Sequence, residues 1–318
     1  MPPRSCSGDE LLDALTAPVE PSFAGELVVV TAPCTDPDPA RIGHAVTRLA
    51  TLPCVVVGGP AELADVAEVD GAIDDIVATF DAAPIASAAL ALHLRAADRR
   101  SIADGLAAES ALYSALQAGP EYAAWRSSVP RRNRQDAASR VGVERIGDEL
   151  RLTLIRAAAR NALDRQMRDE LLDALAVAEA DPDLSVVLCA EGPDFCAGGD
   201  LDEFGTSPDP ATAHGVRLTR SIGAVLARLA GRTTVHLHGA CIGSGIELAA
   251  FSRRVVAAPS TVVALPELRM GLIPGAGGTV SLPVRIGRHR TAWLALSGRT
   301  LDATTALSQH LVDEIDLF

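Results

Sequence analysis

HGACIGSGIELAAFS, residues 238–252, is built almost wholly from small and apolar residues, yet it keeps one carboxylate, Glu247, two residues past a Gly-Ser-Gly turn. The residues before it, TTVHLH, alternate as a buried strand does, and the apolar run after Gly245 predicts a helix over 246–251. A helix start offers unsatisfied amides and the positive end of the macrodipole. Glycines around such a start let a ligand oxygen approach those amides, a geometry suited to developing negative charge. Glu247 then has two readings. Ser244-Gly245-Ile246-Glu247 fits a capping box, with the glutamate bonding back to the cap amide. Alternatively, the carboxylate is kept for chemistry.

Two further stretches bear on that choice. ALPELRMGLIPGAGGT, residues 264–279, places Glu267 directly after a strand-like run and before a glycine-rich turn. Two carboxylates at the ends of adjacent strand-helix units could face one cavity and handle a water and a proton between them. FCAGGDLDEF, residues 195–204, follows the buried strand LSVVLCAEG. Ala197, Gly198 and Gly199 are small enough for a ligand to press on their amides; the plainer reading is a tight turn with Asp200 as N-cap of a following helix. Other motifs fail. Leu248 occupies the third small position of a dinucleotide fingerprint starting at Gly243, and PGAGGT has neither the spacing nor the lysine of a phosphate loop. His236 and His238 share a strand face without a nearby Cys or His to complete a zinc set, so no metal is expected. Ser244 lacks a nucleophile elbow.

Outward from these motifs the pattern is strand, strand, helix, strand, repeated. VGVERIGDELRLTLIR predicts a hairpin turning at Gly147-Asp148, and residues 164–180 a helix with Met167, Leu171, Leu172 and Leu175 on one face. Strands alternating with helices predict an α/β layered fold. VPRRNRQDAASR, residues 129–140, is a charged connector that divides the chain into 1–130, a connector over 131–140, and 141–318. In the first part GELVVVTAP and LPCVVVGGP predict buried strands around a helix, and several helices follow, punctuated by Pro84 and Gly119-Pro120.

Composition narrows the function. With 41 acidic residues, 28 basic residues and a net charge of −13, a nucleic-acid or anionic-membrane partner is not expected. All 28 basic residues are arginines, which excludes lysine Schiff-base chemistry. The six cysteines form no C-x-x-C pair and read as reduced thiols of a cytoplasmic protein. The first residues lack the apolar run of a signal peptide.

Asn161-Ala162-Leu163, FCAGGDL, HGACIGSGIELA and LPELRMGLIPGAGGT, in this order and at these separations, resemble the crotonase (enoyl-CoA hydratase/isomerase) superfamily from about Val141 onward. The resemblance implies a spiral of ββα units with associated helices and an acyl-CoA thioester ligand. It implies an oxyanion hole of the Gly199 and Ser244 amides, where relatives more often carry glycine at the second position. Ala197, Gly198, Asp200, Leu201, Gly243, Pro266 and Gly275 are implied to line the substrate site. Both glutamates of the family's hydratases are present, as Glu247 and Glu267, which implies hydration of a trans-2-enoyl-CoA. The alternatives are a crotonase-fold isomerase or thioester hydrolase, or a non-catalytic CoA-binding scaffold subunit. No cofactor is implied beyond the CoA of the substrate; a homo-oligomer, a trimer or a multiple of it, is the family habit. Residues 1–130 depart from the pattern. Segments 83–95 and 103–130 resemble the helices that family members carry after the core, as if the chain were permuted or, the preferred reading, a decayed first copy had fused to the second. On the latter Tyr122, Trp125 and Arg126 lie near a CoA, the plainer alternative being solvated helix-end residues.

Overall fold

The computed structural model describes residues 2–19, 21–35, 38–132 and 138–318; residues 133–137 of the connector lie outside the described residues. Arg4–Ser7 (β1), Leu27–Ala32 (β2) and Val55–Val57 (β3) form a parallel sheet in that order. Strands β2 and β3 are the two predicted. β1 and the helix after it, Gly8–Thr16 (α1), escape the sequence reading, because RSCS has no apolar run and becomes a strand only by pairing with β2. Ser7 and Glu10 form a capping box at the start of α1. The next helix, Pro39–Leu49 (α2), has Asp38 as cap and proline in its first turn. Alternation along β2 and β3 serves two layers. Val28, Val30 and Val56 pack with Leu11, Leu12 and Leu15 of α1, whereas Leu27, Val55 and Val57 belong to the main core.

Four helices follow, Ile73–Ala82 (α3), Pro84–Leu94 (α4), Ile102–Gln117 (α5) and Pro120–Ser128 (α6), broken where the prolines predict. Arg95, just past α4, is buried and ties this helix to the first sheet. It donates to both oxygens of Asp65 at 2.8 and 2.6 Å and to the Leu49, Leu52 and Cys54 carbonyls at 2.7 Å each. Such a buried guanidinium is tolerable because its donors are matched.

From Val141 the chain winds in repeating turns. Val141–Ile146 (β4) and Glu149–Leu154 (β5) form the predicted hairpin, and Arg165–Ala180 (α7) starts on the Asp164 cap. Then come Ser185–Ala190 (β6), Pro210–Thr219 (α8), Ile222–Leu229 (α9), Thr233–Leu237 (β7), Ala240–Ile242 (β8) and Ser244–Ala249 (α10). Arg254–Ala257 (β9), Val262–Ala264 (β10), Gly278–Ser297 (α11), Leu301–Asp302 (β11), Ala303–Ser308 (α12) and Glu314–Ile315 (β12) complete it. Within a turn, one strand joins a six-stranded sheet, β12-β9-β7-β6-β5-β4, and the next joins a three-stranded one, β11-β10-β8, before the helix. In the turn begun by β6 the second strand shrinks to a bridge between Cys196 and Cys241. The result is a spiral of ββα units around one apolar core. Helices α3, α4 and α5 of the first part pack on α11, so both parts of the chain share that core.

Candidate active site

A cavity of about 470 Å³ opens where the second strands of the turns end. It is lined by the residues that the family resemblance placed in the catalytic, oxyanion and substrate sites: Ala197, Gly198, Gly199, Asp200, Leu201, Gly243, Ser244, Glu247, Pro266, Glu267 and Gly275.

The Gly199 amide is positioned by strand-like pairing on either side of it. Leu163 N–H donates to the Gly198 carbonyl at 2.8 Å, and Asp200 N–H donates to the Leu163 carbonyl at 2.9 Å, which leaves the Gly199 N–H between them without a protein acceptor among the described residues. Asn161, fully buried, holds the preceding loop: its Nδ2 donates to the Glu191 and Asp194 carbonyls at 2.8 and 2.9 Å, and its Oδ1 accepts from Arg156 N–H at 2.8 Å. Ser244 N–H is likewise unpaired among the described residues, at the start of α10. A β-carbon on Gly245 would fall 2.7 Å from the Cys196 carbonyl, so α10 sits flush on the 196–199 segment only because that residue is glycine.

Helix α10 starts two residues earlier than predicted, with Gly243 as cap, and no capping box forms. Ser244 lies inside the first turn, so its hydroxyl cannot cap, and Glu247 reaches away from the helix start. Its Oε2 accepts from Ala276 N–H at 2.8 Å and Gly278 N–H at 2.9 Å. Burial pushes its carboxyl up to about 7, opposed by these backbone donors. Glu267 is buried at the end of β10; Oε2 has no hydrogen-bond partner among the described residues. Burial first, then the Glu247 charge, hold its carboxyl well above the usual range. Gly243 brings the pair together. Its φ of 50° and ψ of −120° suit glycine alone, and a methyl there would overlap Oε1 of Glu267 and lie 3.7 Å from Oε1 of Glu247. Two neighbouring acids, both raised and Glu247 to about 7, can share one water and one proton.

Asp200 is a correction to the cap reading. Turns, not a helix, fill 201–205; its carboxylate accepts from Arg156 Nη1 at 2.6 Å and Asp202 N–H at 3.0 Å. Arg140, Arg156, Asp164 and Asp200 form a buried ion network beneath the cavity floor. Both ends of the charged connector are therefore packed: Arg140 is buried, and Arg131 and Arg132 bond to residues 202–205. Of the three residues expected near a CoA, Trp125 lines the cavity beside Phe204, their rings 6.2 Å apart. Tyr122 is buried behind it, and Arg126 braces the wall through the Leu201 carbonyl at 2.8 Å. His236 packs against the Phe318 ring and His238 bonds the Gly192 carbonyl; no group of three metal-ligating side chains occurs among the described residues.

The sequence reading missed Glu109. From α5 its carboxylate, 2% exposed, accepts from Gly277 N–H at 2.8 Å, Thr279 N–H at 2.9 Å and Thr279 Oγ1 at 2.7 Å. Glu247 and Glu109 thus grip alternate amides of the glycine turn from opposite sides, and Glu109 caps α11. Burial, then the Glu247 charge, push Glu109 up to about 8. His93 of α4 completes a chain: Nε2 donates to Thr279 Oγ1 at 2.9 Å while Nδ1 accepts from Arg100 at 3.0 Å, and burial holds the ring neutral with its pKa lowered to about 4. No local motif marks Glu109, since its partners are amides far along the chain.

The sequence profile of the enoyl-CoA hydratase/isomerase family matches residues 150–316. The chain belongs to this family. An enoyl-CoA isomerase/hydratase of Mycosarcoma maydis is 33% identical over 174 residues, covering 52% of this chain and 64% of that protein. The 2,3-dehydroadipyl-CoA hydratase of Escherichia coli (strain K12) is 34% identical over 167 residues, covering 52% and 65%. The match thus spans a little under two thirds of these relatives. The crystal structure of an enoyl-CoA hydratase from Thermoplasma volcanium GSS1 superposes with a TM-score of 0.51 at 34% identity, covering 56% of this chain and 72% of that one. The fold is crotonase-like, preceded by the α/β segment of β1 to α6.

Proposed function

We propose that the protein is an enoyl-CoA hydratase, adding water across the double bond of a trans-2-enoyl-CoA. The observation that carries this reading is the convergence of Glu247 and Glu267 over Gly243, beside two unpaired amides. The Gly199 and Ser244 N–H groups donate to the thioester oxygen, drawing electrons from C3 and stabilising the enolate-like state. Glu247, titrating near neutrality, takes a proton from water as its oxygen bonds to C3; the π electrons move toward the thioester, and Glu267, held protonated, delivers its proton to C2. One proton gained by the pair and one lost leave it ready for the next water after redistribution between them. The reading includes an acyl-CoA substrate with no further cofactor, a cytoplasmic location and a homo-oligomeric, trimer-based assembly.

Hydration of crotonyl-CoA, followed by loss of the conjugated thioester absorbance, tests it. Glu247→Gln and Glu267→Gln should each lower kcat by roughly 100- to 10,000-fold. Double-bond migration without water uptake would make the protein an isomerase. A wild type that binds CoA but is as inert as Glu247→Gln would make it a scaffold.

A further inference from the structure

Beside residues 275–277 lies a smaller cavity of about 130 Å³ that adjoins the main one. The two share Leu163, Arg168, Arg217, Gly275 and Ala276, but neither the paired glutamates nor the Gly199 and Ser244 amides line the smaller one. It is thus separate from the paired acids and the two amides, beside the 275–277 segment. Its arginines are not equivalent. Arg168 and Arg220 both bond Asp169, at 2.8 and 2.7 Å. Arg217, half-buried on α8, pairs with no carboxylate among the described residues. Its guanidinium lies 4.7 Å from the Tyr113 ring centroid, and Nε and Nη2 donate to the Ser110 and Ser114 hydroxyls. Nη1 has no protein acceptor among the described residues. Glu109 also borders this cavity, with its oxygens committed to Gly277 and Thr279. Burial lowers the Arg217 pKa, opposed in part by nearby Tyr113 and Glu109, so the charge is held at a cost that an incoming anion would offset. The planar guanidinium, already fixed by three neighbours, suits a carboxylate.

We propose that the smaller cavity receives a carboxylate at the far end of the acyl chain, held by Arg217, so that the preferred substrates are enoyl-CoA thioesters of dicarboxylic acids. This rests on the hydratase reading above. The test compares trans-2-hexenedioyl-CoA with trans-2-hexenoyl-CoA, of equal chain length. The wild type should prefer the former by about tenfold in kcat/KM, and that ratio should fall by about tenfold or more in Arg217→Met and recover in part in Arg217→Lys. Calorimetry on the wild type with the saturated pair, adipoyl-CoA and hexanoyl-CoA, asks the same without turnover or mutation; adipoyl-CoA should bind about tenfold tighter. Equal affinities for the saturated pair overturn the inference. So does an Arg217→Met variant that raises KM for both enoyl thioesters alike, which would mean a CoA phosphate at this arginine. Tighter adipoyl-CoA binding without hydration of either enoyl-CoA would sink the hydratase reading and leave the subsite standing; hydration of both without preference would do the reverse.

Discussion

Glu109→Gln isolates the contribution of the third buried acid. The change keeps the volume and removes the charge. In the folded protein the Glu109 carboxyl is pushed up from 4.5 to about 8. Below pH 4.5 it is protonated in folded and unfolded chains alike and contributes nothing to the pH dependence. As pH rises toward 8 the unfolded chain releases this proton while the folded one keeps it, so stability falls, by roughly 1 kcal/mol per pH unit. Between pH 5.5 and 7.5 that amounts to about 2–3 kcal/mol of wild-type stability. The glutamine carries no such term. Its amide retains one acceptor, yet its NH2 group faces at least one of the donors on Gly277 and Thr279, a pH-independent loss of about 1–3 kcal/mol. The variant should thus be the less stable at pH 5.5, and the gap should close or reverse by pH 7.5. Urea unfolding of both proteins across that range reads the two slopes. Parallel slopes would refute the assignment of a buried, proton-retaining carboxyl to Glu109.

Three further expectations follow from the same geometry. The kcat/KM for hydration should rise as pH climbs through about 7, where Glu247 ionises to act as base, and decline at higher pH as Glu267 loses its proton. Gly243→Ala puts a methyl into Glu267 Oε1 at a positive-φ position, so kcat should drop about 100-fold while far-ultraviolet circular dichroism stays that of the wild type; a variant with full kcat would mean that Glu267 does not stand where the chemistry needs it. Asp164→Ala removes both the α7 cap and the carboxylate between buried Arg140 and Arg156, and should cost about 3–5 kcal/mol by urea unfolding; a loss under about 1 kcal/mol would show that the network is dispensable.

Local patterns carried the elements that make their own bonds. The β4–β5 hairpin followed from alternation around Gly147-Asp148, α7 from its apolar face and Asp164 cap, and the helix breaks from Pro84 and Pro120. The motif order from Asn161 to Thr279 was enough to resemble one family and to name residues that prove to share a cavity. Local pattern misled at Ser244, where a capping-box spacing is present but the helix starts a turn position too early to use it, and at Asp200, whose partner is Arg156 rather than a helix amide. It was silent on β1, which is a strand only because β2 lies beside it.

What the sequence alone determined, then, is the periodicity of strands and helices and the small residues that let backbones and ligands approach. Those depend on neighbours within a few positions. What only the tertiary structure decided is who answers each buried polar group: Glu109 across the glycine turn from Glu247, Arg217 with no carboxylate in an ion pair among the described residues, and the helices of residues 84–128 against α11 and the cavity wall. A buried acceptor must find a donor, but the chain can supply it from any distance, and packing, not spacing, makes the choice.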